Sequence, residues 1–294
     1  MTLPDNLRGA SLMMVAMAAF TINDAFMKSL AGSVPLMQAI FLRGILTSAL
    51  VGLVAWRLGR LDLRFRGRDR WLVVLRCVAE AAAAYFFLTA LFNMPISSLT
   101  AILQALPLTV ALAAAIFLGE PIGWRRLTAI CIGFVGVLLI VQPGMEGFTI
   151  FALYGLATVA CATVRDIATR RLSQATDSLA VTFLTALAVA LLALLASPGE
   201  VWVRPSLMES LILVSASLLI LVAYLTIIMA MRVGEIAFVA PFRYAGLVTA
   251  LIVGTLFFGE RPDALTLLGA SIVVATGLYT ILRERRMSRP GATA

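Results

Sequence analysis

The sequence predicts an all-α integral membrane protein whose ten transmembrane helices form two inverted five-helix repeats. Three observations carry this. Apolar runs of spanning length recur down the chain, the basic residues between them crowd every second loop, and the second half repeats residues of the first in the same order.

The 294 residues are 62% hydrophobic and 13% charged, against about 25% charged in ordinary soluble domains. A soluble fold of this length could not cover so much apolar surface, whereas a bilayer solvates it. The composition also excludes whole chemistries. There is no histidine, hence no Ser-His-Asp triad, no HExxH zinc site and no histidine-ligated haem. Cys77, Cys131 and Cys161 stand far apart in apolar runs, as packed thiols rather than a metal cluster or a disulfide framework. The single lysine, Lys28, lies between Met27 and Ser29, so the Gly-Lys pair of a phosphate-binding loop is missing. Neither an enzyme nor a bound cofactor or metal is expected. The net charge of +8 does not mark a nucleic-acid partner, because the arginines sit in short loops between apolar runs.

A helix needs about 20 residues to cross the hydrocarbon core. Spans are expected near 9–31, 34–56, 71–92, 96–118, 124–141, 149–169, 178–196, 207–231, 236–258 and 264–282. Turn residues punctuate them, among them Gly32 to Pro35, Asn93 to Pro95, Gly119 to Pro121 and Pro143-Gly144. Only Arg8 precedes the first long run, which is expected to remain as an uncleaved first helix. With the N-terminus inside, sixteen basic residues outside the spans or at their ends face the cytoplasm and two, Arg204 and Arg261, face the other side. The positive-inside rule then predicts that both termini are cytoplasmic.

A shift of 140 residues pairs Ala90 with Ala230, Ile96 with Ile236, Ala105 with Ala245 and Thr109 with Thr249. It ends by pairing Phe117-Leu118-Gly119-Glu120 with Phe257-Phe258-Gly259-Glu260. A shift of 142 pairs Asp24 with Asp166 and Lys28 with Arg170. Two repeats are therefore expected, residues 1–147 with helices 1–5 and residues 148–294 with helices 6–10 and a short basic tail. Five is odd, so the second repeat enters the membrane from the opposite face, an arrangement typical of secondary transporters.

These residues resemble the drug/metabolite transporter superfamily, EamA type, over essentially the whole chain. Asn23-Asp24 with Lys28, Phe41 to Arg43, Ala240 to Tyr244, and Gly259 to Asp263 followed by Leu265 to Ala270 are similar to a bacterial subgroup. That subgroup includes riboflavin and S-adenosylmethionine uptake proteins. The resemblance implies a metabolite carrier, with riboflavin uptake as the leading cargo. S-adenosylmethionine uptake and export of amino acids or other metabolites are the alternatives.

Ionisable residues inside a span are costly and normally face a partner or a cavity. Asp24 and Lys28, and likewise Asp166 and Arg170, are four apart on one helix and can pair, as structural pairs or as a gate. Asn23 accompanies the first pair and Arg165 the second. The charges that the repeat does not duplicate are more telling. Arg76, Glu80, Arg243 and Arg43 correspond to Ala216, Ile220, Leu103 and roughly Ala186. A scaffold requirement would recur in both halves, whereas a solute has no such symmetry. Arg76, Glu80 and Arg243 are therefore expected to line the path of the solute or of a coupling ion such as a proton. Interhelical salt bridges and snorkelling are the competing readings. Tyr85, Gln104 and Tyr244 could complete a pocket for a flat aromatic solute or bond neighbouring helices. Pro107 and Pro241 each remove a backbone hydrogen bond within a span, as a static kink or a hinge. Glu120 and Glu260, at the ends of the fourth and ninth spans, are expected to cap or brace the next helix rather than touch cargo.

The bilayer, a small-molecule solute and a coupling ion are the expected partners, with a homodimer left open. An intramembrane aspartyl protease would need Asp24 and Asp166 to share a proton. Each has a basic residue four positions on that would keep it ionised, and the Gly-x-Gly-Asp setting is missing. A channel or a lipid flippase is the remaining rival.

Overall fold

The computed structural model describes residues 3–59, 63–65, 67–119, 123–145, 148–173, 176–233 and 236–287. Among them every regular element is helical, and ten helices are long and apolar enough to cross a membrane. We number them α1 (Leu3–Ser29), α2 (Leu36–Arg57), α3 (Arg68–Asn93), α4a (Ile96–Leu103), α4b (Leu106–Leu118), α5 (Trp124–Val141) and α6 (Ile150–Arg170). Then come α7 (Ser178–Ala196), α8 (Leu207–Val233), α9a (Ile236–Val239), a 3₁₀ segment (Ala240–Tyr244), α9b (Ala245–Phe258) and α10 (Ala264–Met287). Large apolar side chains such as Leu195, Leu207 and Phe257 are about four-fifths exposed. That is affordable only where hydrocarbon replaces water as the solvent.

Two spans expected to be continuous are broken. The fourth is interrupted at Gln104-Ala105, just before Pro107. Proline supplies no N–H, and the chain closes the gap with tighter bonds, Ala105 N–H to Ile102 C=O and Leu108 N–H to Ala105 C=O. The ninth passes through the 3₁₀ segment that holds Pro241. Gln104 and Tyr244 correspond under the 140-residue shift, so the break recurs at one position of the repeat although the two prolines do not correspond.

The fourth and ninth spans each end on a left-handed glycine, Gly119 (φ 70°) and Gly259 (φ 63°), where a Cβ would be strained. Glu120 lies outside the described residues. Glu260 does cap a helix, but not the next one, α10: it reaches the start of α4a in the other half, where open N–H groups need an acceptor. Its carboxylate accepts from the N–H of Ile96 (2.7 Å), the N–H of Ser97 (3.1 Å) and the hydroxyl of Ser97 (2.7 Å). These donors open α4a, whose N-cap Pro95 offers no side-chain acceptor. A Cβ on Gly254 would lie 2.5 Å from Glu260 Oε2, so glycine there leaves room for the carboxylate.

The described helices form two compact units. One comprises Met1–Thr21, Met94–Leu153 and Val222–Ala294; the other comprises Ile22–Asn93 and Tyr154–Leu221. Each unit draws on both halves of the sequence, and α1, α6 and α8 contribute to both units. Within each unit, equivalent helices of the two halves run antiparallel. In the second unit, Gly44 of α2 faces Ala190 of α7 and Gly52 faces Phe183, so the partner moves backward as α2 moves forward. Glu200, just beyond α7, accepts from the N–H of Met37 (3.0 Å) at the start of α2. In the first unit, Gly136 of α5 meets Gly269 of α10 while Gly133 meets Thr276. Gln142, at the end of α5, donates to Asp263 at the start of α10. Bonds from Thr266, reinforced by Gln142, hold the Asp263 carboxyl below the usual range.

The α5–α10 approach is backbone on backbone. A Cβ on Gly269 would lie 2.5 Å from the Gly136 carbonyl oxygen. Gly269→Val is expected to lower stability by about 1–3 kcal/mol, seen as a lower Tm in detergent. Gly199→Ala, where a Cβ meets nothing within 4 Å, is expected to leave Tm unchanged.

Candidate functional site

In the second unit the polar groups expected from the sequence gather around a residue outside that set, Arg165 of α6. Its Nη1 pairs with Glu80 Oε2 of α3 at 2.8 Å, and its Nε with Asp166 Oδ1 at 2.8 Å. All three side chains are 20–30% exposed, half-buried in helices of spanning length. Arg76 and Arg43 also act electrostatically on Glu80, and Arg43 acts on Asp24. Arg76, one turn before Glu80 on α3, donates through Nε to Thr169 Oγ1 of α6 (2.9 Å) and through Nη1 to Thr185 Oγ1 of α7. Three arginines and three carboxylates thus converge from α1, α2, α3 and α6. The near balance lets each charge find an opposite one without water, as a low-dielectric setting requires.

The intrahelical pairs expected from spacing are replaced by other partners. Asp24 accepts from Asn23 Nδ2 at 2.8 Å. Lys28 donates to the Leu91 carbonyl at 3.0 Å, one of the last carbonyls of α3, which have no acceptor role left inside their own helix. Asp166 is held by its neighbour Arg165. The spacing rule ranks neighbours on one helix and is blind to a basic group or an open carbonyl supplied by another.

Tyr85 lies further along α3. Its ring sits edge-on to Phe86 (5.4 Å between centroids), which sits edge-on to Tyr154 of α6 (5.6 Å). The other three expected residues, Gln104, Arg243 and Tyr244, belong to the first unit. Gln104 stands at the α4 break, half-buried. Arg243 is exposed at the α9 break. Tyr244 is 7% exposed, and its hydroxyl, with no hydrogen-bond partner among the described residues, lies against Gly277 of α10. Among the described residues no cluster of metal-ligating side chains occurs.

Arg165 was the residue the pattern undervalued. The signal was present: under the 142-residue shift it corresponds to Asn23, so it is as unduplicated as Glu80, the carboxylate it holds. The chemistry available to the cluster is reversible ion pairing, with charges that can be exchanged between helices or offered to a polar solute. Removing Arg165 strands two carboxylates. Arg165→Leu is expected to destabilise by about 3–5 kcal/mol. The double variant Arg165→Leu/Glu80→Leu is expected to be more stable than the two single losses predict, by about 0.5–3 kcal/mol. Denaturant unfolding in detergent, run as a double-mutant cycle, measures both.

Comparison with known proteins places this geometry. The chain is 28% identical over 193 residues to an S-adenosylmethionine uptake transporter of Rickettsia bellii, a match covering 65% of this chain and 66% of the relative. A pseudopaline exporter, CntI, of Pseudomonas aeruginosa is 26% identical over 90% of this chain and 93% of its own. A riboflavin transporter of Rhizobium johnstonii is 27% identical over 76% of this chain and 74% of its own. A solved crystal structure superposes with a TM-score of 0.67 at 21% identity, covering 96% of this chain and 99% of the other, which shows the shared fold. The model of the EamA-like transporter family matches twice, at residues 7–142 and 149–283, and with the two antiparallel sets of helices this makes the chain a member of that family.

Proposed function

We propose that the protein is a secondary, non-ATP carrier that moves a small organic metabolite across the bacterial inner membrane by alternating access, with both termini cytoplasmic. The observation that carries the reading is the ionic cluster around Arg165. Ion pairs at bilayer depth are costly to keep, and a cluster fed by helices of both halves would be an economical place to bind a polar solute or a coupling ion. The sequence halves 1–147 and 148–294 are the repeats of this reading, in keeping with the family model matching once in each. Asp24 and Asp166, the repeated acids, are the candidate sites for a coupling proton.

Riboflavin is the cargo we favour. Its flat ring system suits the edge-on series Tyr85, Phe86 and Tyr154, and its lack of net charge suits a cluster whose charges already balance. S-adenosylmethionine uptake is the second reading, favoured by the 28% identity to the rickettsial relative. Export rather than import is the third, favoured by the long match to the pseudopaline exporter.

Proteoliposomes given labelled riboflavin, S-adenosylmethionine and amino acids, with and without a pH gradient, separate these readings. Saturable riboflavin uptake that a pH gradient accelerates is expected, together with its near loss in Asp24→Asn. Saturable uptake of S-adenosylmethionine alone would replace the cargo. Flux that does not saturate would replace the carrier with a channel.

A further inference from the structure

Between α5 and α10, in the first unit, an open groove of about 390 Å³ is lined by Trp124, Arg125, Thr128, Ile132, Ala275 and Tyr279, with Ala129 and Thr276 at its floor. Its volume falls in the range of small-ligand sites, about 300–1,000 Å³. None of its lining residues belongs to the ionic cluster.

The wall is apolar by construction. Thr128 donates its hydroxyl proton to the Trp124 carbonyl (2.9 Å) and Thr276 donates its own to the Ile272 carbonyl (2.8 Å). Both hydroxyl protons are therefore used within their own helices. Ala129 and Ala275 leave the space that larger side chains would fill. Ile132 and Trp124 are 49% and 72% exposed, so the groove opens on the outward, lipid-facing side of α5. One end is different. Arg125 stacks on the Trp124 ring, 5.1 Å from its centroid, and Tyr279 stands opposite on α10. An indole, a phenol and a guanidinium at the end of a span are the groups that favour the headgroup level of a bilayer. The sequence adds Arg126 beside Arg125 at the start of α5, which makes this end of the groove basic.

The geometry points to a resident anionic phospholipid, one acyl chain lying in the α5–α10 groove and its phosphate held at Arg125. Charge complementarity selects the occupant. A neutral-headgroup lipid would fill the same slot without using the cationic end, whereas an anionic one gains about 1 kcal/mol per basic residue near the surface. This groove is independent of the cargo, so its occupancy survives any outcome of the transport assay.

Native mass spectrometry of the full chain in mild detergent, titrated with phosphatidylglycerol or phosphatidylcholine, tests the assignment. The wild type is expected to retain one phosphatidylglycerol with about fivefold preference over phosphatidylcholine. Ala275→Phe, which fills the slot, is expected to lose both lipids. Arg125→Gln, a surface change that spares the fold, is expected to keep binding but erase the preference. Inorganic phosphate is expected not to displace the lipid. Unchanged retention in Ala275→Phe, an undiminished preference in Arg125→Gln, displacement by free phosphate, or a change of oligomeric state in Ala275→Phe in place of lipid loss would each overturn it.

Discussion

Arg165 is the residue on which the organisation of the second unit depends. A guanidinium at bilayer depth must be neutralised by protein, and it reaches Glu80 on another helix and Asp166 on its own at 2.8 Å each. The bond to Glu80 ties α6, from the second half, to α3, from the first. Arg76 adds a second tie by donating to hydroxyls on α6 and α7. Polar satisfaction, more than apolar packing, fixes which helices are neighbours here, because lipid tails compete equally well for an apolar face.

The same logic holds wherever the two halves meet within a unit. Glu260 caps α4a and Glu200 caps α2, each carboxylate supplied by the other half to N–H groups that the bilayer could not satisfy. Where no polar bond is made, glycine permits backbone contact, as at Gly136 and Gly269. Such contacts explain why the compact units do not follow the sequence halves. α2 is bound most closely to its antiparallel equivalent α7, and α5 to α10, not to their neighbours in sequence.

Much of this was legible in the residues. Ten spans and the repeat follow from apolar run length and a constant shift. That Glu260 braces a helix was legible, but its partner, α4a of the other half rather than the next helix, was not. Span ends moved by a few residues, since hydropathy marks the hydrocarbon core and not where hydrogen bonding stops. The breaks in the fourth and ninth spans were announced by Pro107 and Pro241, yet their extent depended on how each chain re-bonds its freed carbonyls. The ion pairs were least legible. Asp24 and Lys28 satisfy a local rule, but Asn23 and the end of α3 supply better partners, and only tertiary structure reveals them. Gln104, Arg243 and Tyr244 share the chemistry of a polar site but belong to the first unit, for which charge spacing gave no signal.

The central claim is that equivalent helices of the two halves run antiparallel inside one unit. Disulfide cross-linking in a background without Cys77, Cys131 and Cys161 tests it directly. The account predicts efficient cross-linking of Gln38→Cys with Val203→Cys, because the Gln38 amide bonds the Val203 backbone where the start of α2 meets the segment after α7, and none between Gln38→Cys and Ser178→Cys. The opposite pattern would mean that α2 and α7 run parallel, and the inverted architecture would fall with it.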